Sequence, residues 1–290
     1  MDIFIEQLLN GLTLGAMYAS IAAGQALIFG VARLINFAHG DMFMVGAYVF
    51  FLAFSVAGLP YPVAVIVTVV VMFFFGAFFD RVIVRPIIDK RWHVHMIATL
   101  AASIVLYNSF TIIFGTTPKE VPTTYRKVIL EFAGFQMCLQ RVIVLAVTLL
   151  SFCALYLFLQ KTKTGKAMKA MSQNRAACAV VGIDIRRMST LTFAISVGLM
   201  GLSSGLVAPL MNIHPTMGLQ LTFKAFAAVI MGGLGQVNGA IAGALILGLT
   251  EALAAGYLGA DYKDAIGFAM MVLVLLWRPQ GLFGGRKVGI

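Results

Sequence analysis

The chain has 290 residues, 61% of them hydrophobic and only 11% charged, and a mean hydropathy of +0.96. Globular domains carry about 25% charged residues, so a water-facing surface cannot be assembled from this composition, and a soluble enzyme, a disulfide scaffold and a disordered chain are all excluded. The net charge of +10 would suggest nucleic acid in a soluble protein. In a membrane chain it reports orientation, because basic residues are retained on the cytoplasmic side.

A helix crossing the hydrocarbon core needs about 20 apolar residues. Runs at 8–31, 42–58, 62–83, 96–114, 142–160, 188–211 and 237–257 qualify, and a shorter run at 264–278 ends against Arg278-Pro279. Residues 222–234 are apolar but short, and close on Gly232-Gly233-Leu234-Gly235. They read as a half-helix or re-entrant element, a backbone form tolerated only where protein surrounds it. The expectation is an all-α polytopic transmembrane bundle of eight or nine spans, one domain over 1–290. Asp2 and Glu6 stand where a cleavable signal would carry basic residues.

Charge placement orients the bundle. Arg33, the group Arg81, Arg85, Lys90 and Arg91, the seven cations of 161–187, and Arg278, Arg286 and Lys287 fall on one side if 222–234 counts as a crossing. Lys119, Arg126, Lys127, Arg141, Lys224 and Lys263 fall on the other. The N-terminus is then outside and the C-terminus inside.

Two connections are long. The outer one, 115–141, holds Pro118 and Pro122 and either caps the outer mouth or links helices. The inner one, 161–187, is basic yet contains a compact helical pattern from Arg175 to Val181 stopped by Gly182. It suits docking to another protein, or it is a solvated loop held near anionic lipid by its lysines.

Inside the bundle, Gly11/Gly15, Gly201/Gly205 and Gly235/Gly239/Gly243 recur at the four-residue spacing that permits close helix approach. Glu251 shares a helical face with Ala240, Ala244 and Gly248. A charge at mid-bilayer costs roughly 2.5–3.5 kcal/mol, so Glu251 looks inward, either to a structural partner such as Lys224 or to a transported ligand. Asn36-Phe37-Ala38-His39-Gly40-Asp41 interrupts the first two spans. These residues suit a turn, with Asp41 capping the next helix, and a broken helix also lines permeation paths in transporters.

Other signals carry no chemistry. Gly165-Lys166 lacks a glycine five positions earlier, where Gln160 stands, and is followed by Ala167 rather than Ser or Thr. His93 and His95 alternate on a basic loop with no third ligand near, and no metal set is expected. Cys138, Cys153 and Cys178 are scattered and read as unpaired thiols.

The stretch Leu34-Ile35-Asn36-Phe37-Ala38-His39-Gly40-Asp41-Met42 resembles the permease subunits of branched-chain amino-acid ABC importers. Further matches follow in order: Gly165-Lys166-Ala167-Met168 with Gly182-Ile183-Asp184, Phe223-Lys224-Ala225-Phe226, Gly232-Gly233-Leu234-Gly235, Gly239-Ala240, Glu251-Ala252, Tyr262-Lys263-Asp264 and Arg278-Pro279-Gln280-Gly281. The likeness covers essentially the whole chain and is to the shorter, LivH-type of two paired permeases. It implies a bacterial inner-membrane subunit that is not itself an enzyme. Its partners would be a second homologous permease, two cytosolic ATPases that bind ATP and Mg, and a periplasmic substrate-binding protein.

The resemblance makes Arg175, Ala176, Ala177, Val181 and Gly182 the ATPase-coupling segment. Many ABC importers carry Glu-Ala-Ala ahead of the coupling glycine, whereas this chain has Arg175-Ala176-Ala177, so the docking role transfers and a specific salt bridge does not. Asn36, Phe37, His39, Asp41, Lys224 and Glu251 are then candidates for the path or gate, and Gly235, Gly239 and Gly243 for helix packing. The expected cargo is a branched-chain or related amino acid, with urea or short amides as an alternative. An ion-coupled secondary transporter using Glu251 and Asp41 is the competing class.

Overall fold

The computed structural model describes residues 2–132 and 135–284, so that Arg286 and Lys287 of the charge argument lie outside the described residues. Helices come in the order α1 (Asp2–Ala32), α2 (His39–Phe51), α3 (Tyr61–Phe79), α4 (Trp92–Phe114), α5 (Thr124–Lys127), α6 (Leu139–Lys161), α7 (Lys163–Gln173), α8 (Arg175–Val180), α9 (Ile185–Val207), α10 (Met217–Gly232), α11 (Val237–Tyr257) and α12 (Lys263–Trp277). Helical backbone continues past α2 to Val56 and past α3 to Ile87. Seven of these helices are long and apolar enough to cross a membrane. The all-α class expected from the sequence is what the chain adopts, apart from one small hairpin.

α1 is the axis of the bundle, packed against α9, α10 and α11. Its first half lies directly on α11: a Cβ on Gly11 would come within 2.8 Å of the Leu249 backbone, and one on Gly15 within 3.0 Å of the Leu245 backbone. α3 and α9 repeat the device, with Gly76 against the Phe193 carbonyl and Gly201 against Met72. In lipid the apolar effect gives no drive for helix association, and backbone approach of this kind supplies dispersion contact instead. Gly239 and Gly243 press on α10 at Gly232 and Ala228. Gly235 differs from the expected stripe: it precedes α11, in a turn with φ +78°, and packs on Gly30.

The outward faces of α3, α4, α6 and α12 carry exposed Phe74, Ile112, Leu149 and Trp277. In water such a surface would aggregate, whereas lipid solvates it. All three cysteines are unpaired.

At one end of the bundle, residues 115–141 hold α5 and an antiparallel hairpin of β1 (Ile129–Phe132) and β2 (Phe135–Cys138), with Ile129 opposite Cys138. The Lys119 and Ile213 backbones exchange hydrogen bonds of 2.8 and 2.9 Å, tying this connection to the segment that leads into α10. At the other end, 161–187 forms two helices where the sequence pattern gives one. α7 is hard to see in the sequence because its large buried side chains are only two methionines, Met168 and Met171, set among lysines. His93 and His95 also differ from expectation: they lie in the first turn of α4, and the His95 Nε2–H donates to the Ile87 carbonyl at 2.7 Å.

Candidate translocation site and coupling segment

The interruption after α1 is a genuine re-entry. Arg33 takes φ +54°, the left-handed region, and the chain then turns back along α1. His39, the first residue of α2, donates from Nε2 to the carbonyl of Ile21 at 2.9 Å. Ile21 precedes the end of α1 by eleven residues, roughly 16 Å of helix, so α2 begins deep inside the bundle. Within the re-entrant turn, Asn36 Oδ1 accepts from the Ala38 N–H at 3.1 Å. The Phe37 N–H donates to Thr99 Oγ1 on α4 at 3.1 Å.

α10 begins at the same place and runs the other way. Its far end, Gly232, meets the start of α11, and the following turn packs on Gly30 near the end of α1. Its near end meets α2: Thr222 Oγ1 accepts from the Gly40 N–H at 2.9 Å and donates to the Gly218 carbonyl at 3.0 Å. Two partial helices therefore present their N-termini to each other in the interior. α10 starts five residues earlier than the apolar run at 222–234, because Met217–Leu221 continue the helix on a face against α2.

Asp41 sits in this junction, 2% exposed. The capping role expected of it is not what it does: α2 has no side-chain cap, and Asp41 lies inside the first turn. Its Oδ2 instead accepts from Ser103 Oγ on α4, and a Cβ on Gly218 would come within 2.7 Å of the Asp41 Cα. The positive ends of both helix dipoles bear on this carboxylate. Phe37 packs against Phe226 of α10 with ring centroids 5.2 Å apart and planes tilted by 49°. Close by, a Cβ on Gly24 would lie 3.2 Å from the Ser196 carbonyl and 3.4 Å from the His39 ring. His39 Nδ1, the Gln25 amide and Ser196 Oγ are buried polar atoms without a protein partner.

A second cluster fastens α10 on its other flank. Lys224 Nζ pairs with Glu251 Oε1 on α11 and with Asp264 Oδ1 on α12 at 2.8 Å. Tyr18 of α1 donates to Glu251 Oε2 at 2.9 Å, and the ammonium lies 5.1 Å from the centre of the Phe268 ring. Lys224 and Glu251 are buried, while half of the Asp264 side chain is exposed. Four helices thus meet in one cluster around Lys224 and Glu251. Of the six path candidates, Asn36, Phe37, His39 and Asp41 gather at the junction, whereas Lys224 and Glu251 form this separate pair.

Sequence reasoning missed Thr99, Ser103, Gly218, Thr222 and Tyr18, and took Asp264 only as part of a matching motif, not as a partner of Lys224. Thr99 and Ser103 stand one helical turn apart on α4, a polar stripe that a search for ionisable groups passes over. Asp80, one residue beyond α3 and fully buried, was likewise not singled out, because in the sequence it stands at the edge of an apolar run beside Arg81. This carboxylate accepts from Ser189 Oγ at 2.7 Å and Thr190 Oγ1 at 2.6 Å at the start of α9.

The segment from Arg175 to Gly182 is a separately capped helix. Asn174 Oδ1 accepts from the Ala177 N–H at 3.0 Å. At the other end Gly182 has φ +81°, its N–H donates to the Ala179 carbonyl, and Ile183 N–H donates to the Cys178 carbonyl. This is a Schellman closure, and the left-handed position explains the glycine. Cys178 faces inward while Val180 and Val181 are 88% and 74% exposed. Arg175 reaches only the exposed Asp89, at 3.9 Å, an ion pair worth little. Among the described residues no group of His, Cys, Asp and Glu is arranged to hold a metal.

Residues 7–275 match the family model described as branched-chain amino acid transport system / permease component. The chain is 31% identical to the high-affinity branched-chain amino acid transport system permease protein LivH of Escherichia coli (strain K12), over 98% of this chain and 97% of that protein. It is 31% identical over the same shares to the corresponding protein BraD of Pseudomonas aeruginosa. The E. coli permease protein LivM is more distant, at 26% identity over 93% of this chain and 68% of that protein. No solved structure matches. A match running from the first helix to the last, over the same elements that build the α2–α10 junction and the exposed α8, makes this chain a member of the branched-chain amino acid transport system permease family, a membrane-embedded permease component and not an enzyme.

Proposed function

We propose that this chain forms part of the path by which branched-chain amino acids enter a bacterial cell across its inner membrane, in an ABC importer whose ATPases are separate subunits. The observation that carries the reading is the full-length match to chains named as branched-chain amino acid permeases. The likeness to both LivH and LivM supports a heterodimer of two related permeases, with two cytosolic ATPases below and a substrate-binding protein above. ATP and Mg belong to those ATPases in this reading.

With α10 counted as the inward limb of a crossing and α12 as a crossing, the seven long helices become nine. An odd count puts the termini on opposite sides, and the basic 161–187 connection then makes the N-terminus outer and the C-terminus inner. α8 presents Val180 and Val181 at the cytosolic face, apolar side chains that a loop resting in water has no reason to expose. An ATPase cleft is the proposed occupant. α8 leads through Gly182 straight into α9, and Asp80 fastens the start of α9 to α3, so a tilt of α8 reaches the membrane helices. ATP binding and release bias a bundle with inward-open and outward-open states. The α2–α10 junction is where such a bundle opens: two helices begin there, and the buried polar atoms of Gln25, His39 and Ser196 are unused by the protein.

The ion-coupled alternative draws on Glu251. Its two oxygens are already engaged by Lys224 and Tyr18, which favours a fixed structural charge over a carboxylate that exchanges ions each cycle. Purification of the tagged chain in mild detergent from its own membrane, with identification of the accompanying subunits, tests the proposal. A second permease and two ATPases are expected. A chain recovered alone overturns it.

A further inference from the structure

At the end of the bundle that carries α7 and α8, a cavity of about 690 Å³ opens between α1, α6, α7 and the turn from α10 to α11. Its volume falls in the roughly 300–1,000 Å³ range of small-molecule sites. The lining is zoned from the interior to the end of the bundle. Deeper in the bundle it is apolar, with Leu27 of α1, Leu155 of α6 and Ile241 of α11. Toward the end of the bundle it becomes polar and cationic, with Arg33, Lys169 and Asn238, and among the described residues no aspartate or glutamate lines it. Tyr156 at the rim is half exposed.

Among the described residues neither cation has an acidic partner. Arg33 Nη2 donates to the Gln173 carbonyl at 3.5 Å and Lys169 Nζ to Gln160 Oε1 at 3.4 Å. Both are long bonds to neutral acceptors. Arg33 is also the one non-glycine residue with positive φ among the described residues. An L-residue there costs roughly 1–2 kcal/mol, and a glycine would remove that strain. The position nevertheless carries a guanidinium, at the mouth of a cavity and beside a lysine from another helix. Strain kept at a charged side chain points to something that the charge binds.

We propose that this cavity binds one phospholipid with an anionic headgroup. The phosphate sits between Arg33 and Lys169, the headgroup meets Asn238 and Gln160, and the upper part of an acyl chain lies against Leu27, Leu155 and Ile241. A soluble anion would satisfy the cations and leave the apolar end wet. A zwitterionic lipid would fill the apolar end but bring its own ammonium to the two cations and leave their net charge unchanged, whereas an anionic headgroup lowers it. Basic pockets between membrane helices on the cytoplasmic side select anionic headgroups by this combination. The bound lipid would bridge α1, α6 and α7, and so join the first helix of the coupling connection to the core of the bundle.

The test uses the full chain with its co-purifying subunits, partially delipidated and exposed to equal amounts of phosphatidylglycerol and phosphatidylcholine, with retained lipid counted by native mass spectrometry. The expected result is retention of phosphatidylglycerol over phosphatidylcholine. With about 1 kcal/mol per cation near the headgroup, Lys169→Gln should lower that preference roughly fivefold and the pair Arg33→Gln/Lys169→Gln roughly 25-fold. The charge-preserving pair R33K/K169R should restore it. Lys161→Gln/Lys166→Gln removes two exposed cations outside the cavity and should leave it unchanged. Lys169→Gln alters an exposed position, so it remains readable if the pair fails to fold. Equal retention of the two lipids by the parent overturns the proposal, as does an equal loss in the Lys161/Lys166 control. Displacement of the lipid by inorganic phosphate at matched phosphate concentration also overturns it, in favour of a free-anion site.

Discussion

Gly40 of α2 and Gly218 of α10 stand face to face in the interior, so close that a Cβ on Gly40 would collide with the Gly218 carbonyl and lie 2.5 Å from the Thr222 nitrogen. Two helix N-termini meet there, with only the Thr222 hydroxyl and the Asp41 carboxylate packed beside the two glycines. Gly40→Ala and Gly218→Ala should each destabilise the chain by about 1–3 kcal/mol, the usual range for overpacking, because each new Cβ meets backbone that cannot rotate away: the Gly218 carbonyl for Gly40, and the Asp41 Cα beside its carboxylate for Gly218. A thermal melt in detergent checks this, and an unchanged melt for both variants would show that the two helices are not in contact.

The Lys224–Glu251 pair supplies a prediction of a different form. Removing one partner of a buried ion pair costs about 3–5 kcal/mol, whereas replacing both with apolar groups is often neutral. Lys224→Met should therefore be severely destabilising, and Lys224→Met/Glu251→Leu should recover most of the loss. Melts of the two single variants and the double variant form a closed cycle. A double variant as unstable as the sum of the singles would mean that the two side chains do not act on each other.

Asp41 carries a third. Ser103→Ala removes a hydrogen bond to a charged acceptor, worth about 1.5–3 kcal/mol. Asp41→Asn keeps the shape and removes the charge that both helix N-termini face, a further loss of up to ~2 kcal/mol. Both variants should melt earlier than the parent. A more stable Asp41→Asn protein would show that the carboxylate is not held by those dipoles.

The coupling helix separates folding from docking. Val180→Asp/Val181→Asp alters two exposed side chains and should leave the melt of the chain unchanged while abolishing recovery of ATPase subunits. Gly182→Ala forces a left-handed L-residue at about 1–2 kcal/mol and should loosen the α8–α9 corner. Normal ATPase recovery with the two aspartates in place would place the docking surface elsewhere.

The sequence makes the bundle legible because lipid imposes one simple demand, long apolar helices, and seven of them satisfy it. The cap of α8 is equally visible, since Gly182 stands where only a left-handed residue closes the helix. The meaning of Asn36–Asp41 is harder to read. Turn residues look alike whether the turn lies at the surface or returns into the bundle, and only the His39–Ile21 bond fixes its depth. α10 begins before its apolar run for a related reason: Gly218 and Thr222 face another helix terminus, so their small and polar character serves contact and not loop formation. Lys224 and Glu251 can be proposed as partners from their chemistry, but Tyr18 and Asp264 join them from helices far apart in sequence, which no local pattern encodes.

The most direct test of the account is uptake of labelled leucine into liposomes carrying this chain with its co-purifying subunits and binding protein, with ATP supplied on the ATPase side. The account predicts uptake that requires ATP and the binding protein, persists when ion gradients are collapsed, and is lost in Val180→Asp/Val181→Asp. Uptake by the chain alone, driven by an ion gradient without ATP and abolished by Glu251→Gln, would contradict it.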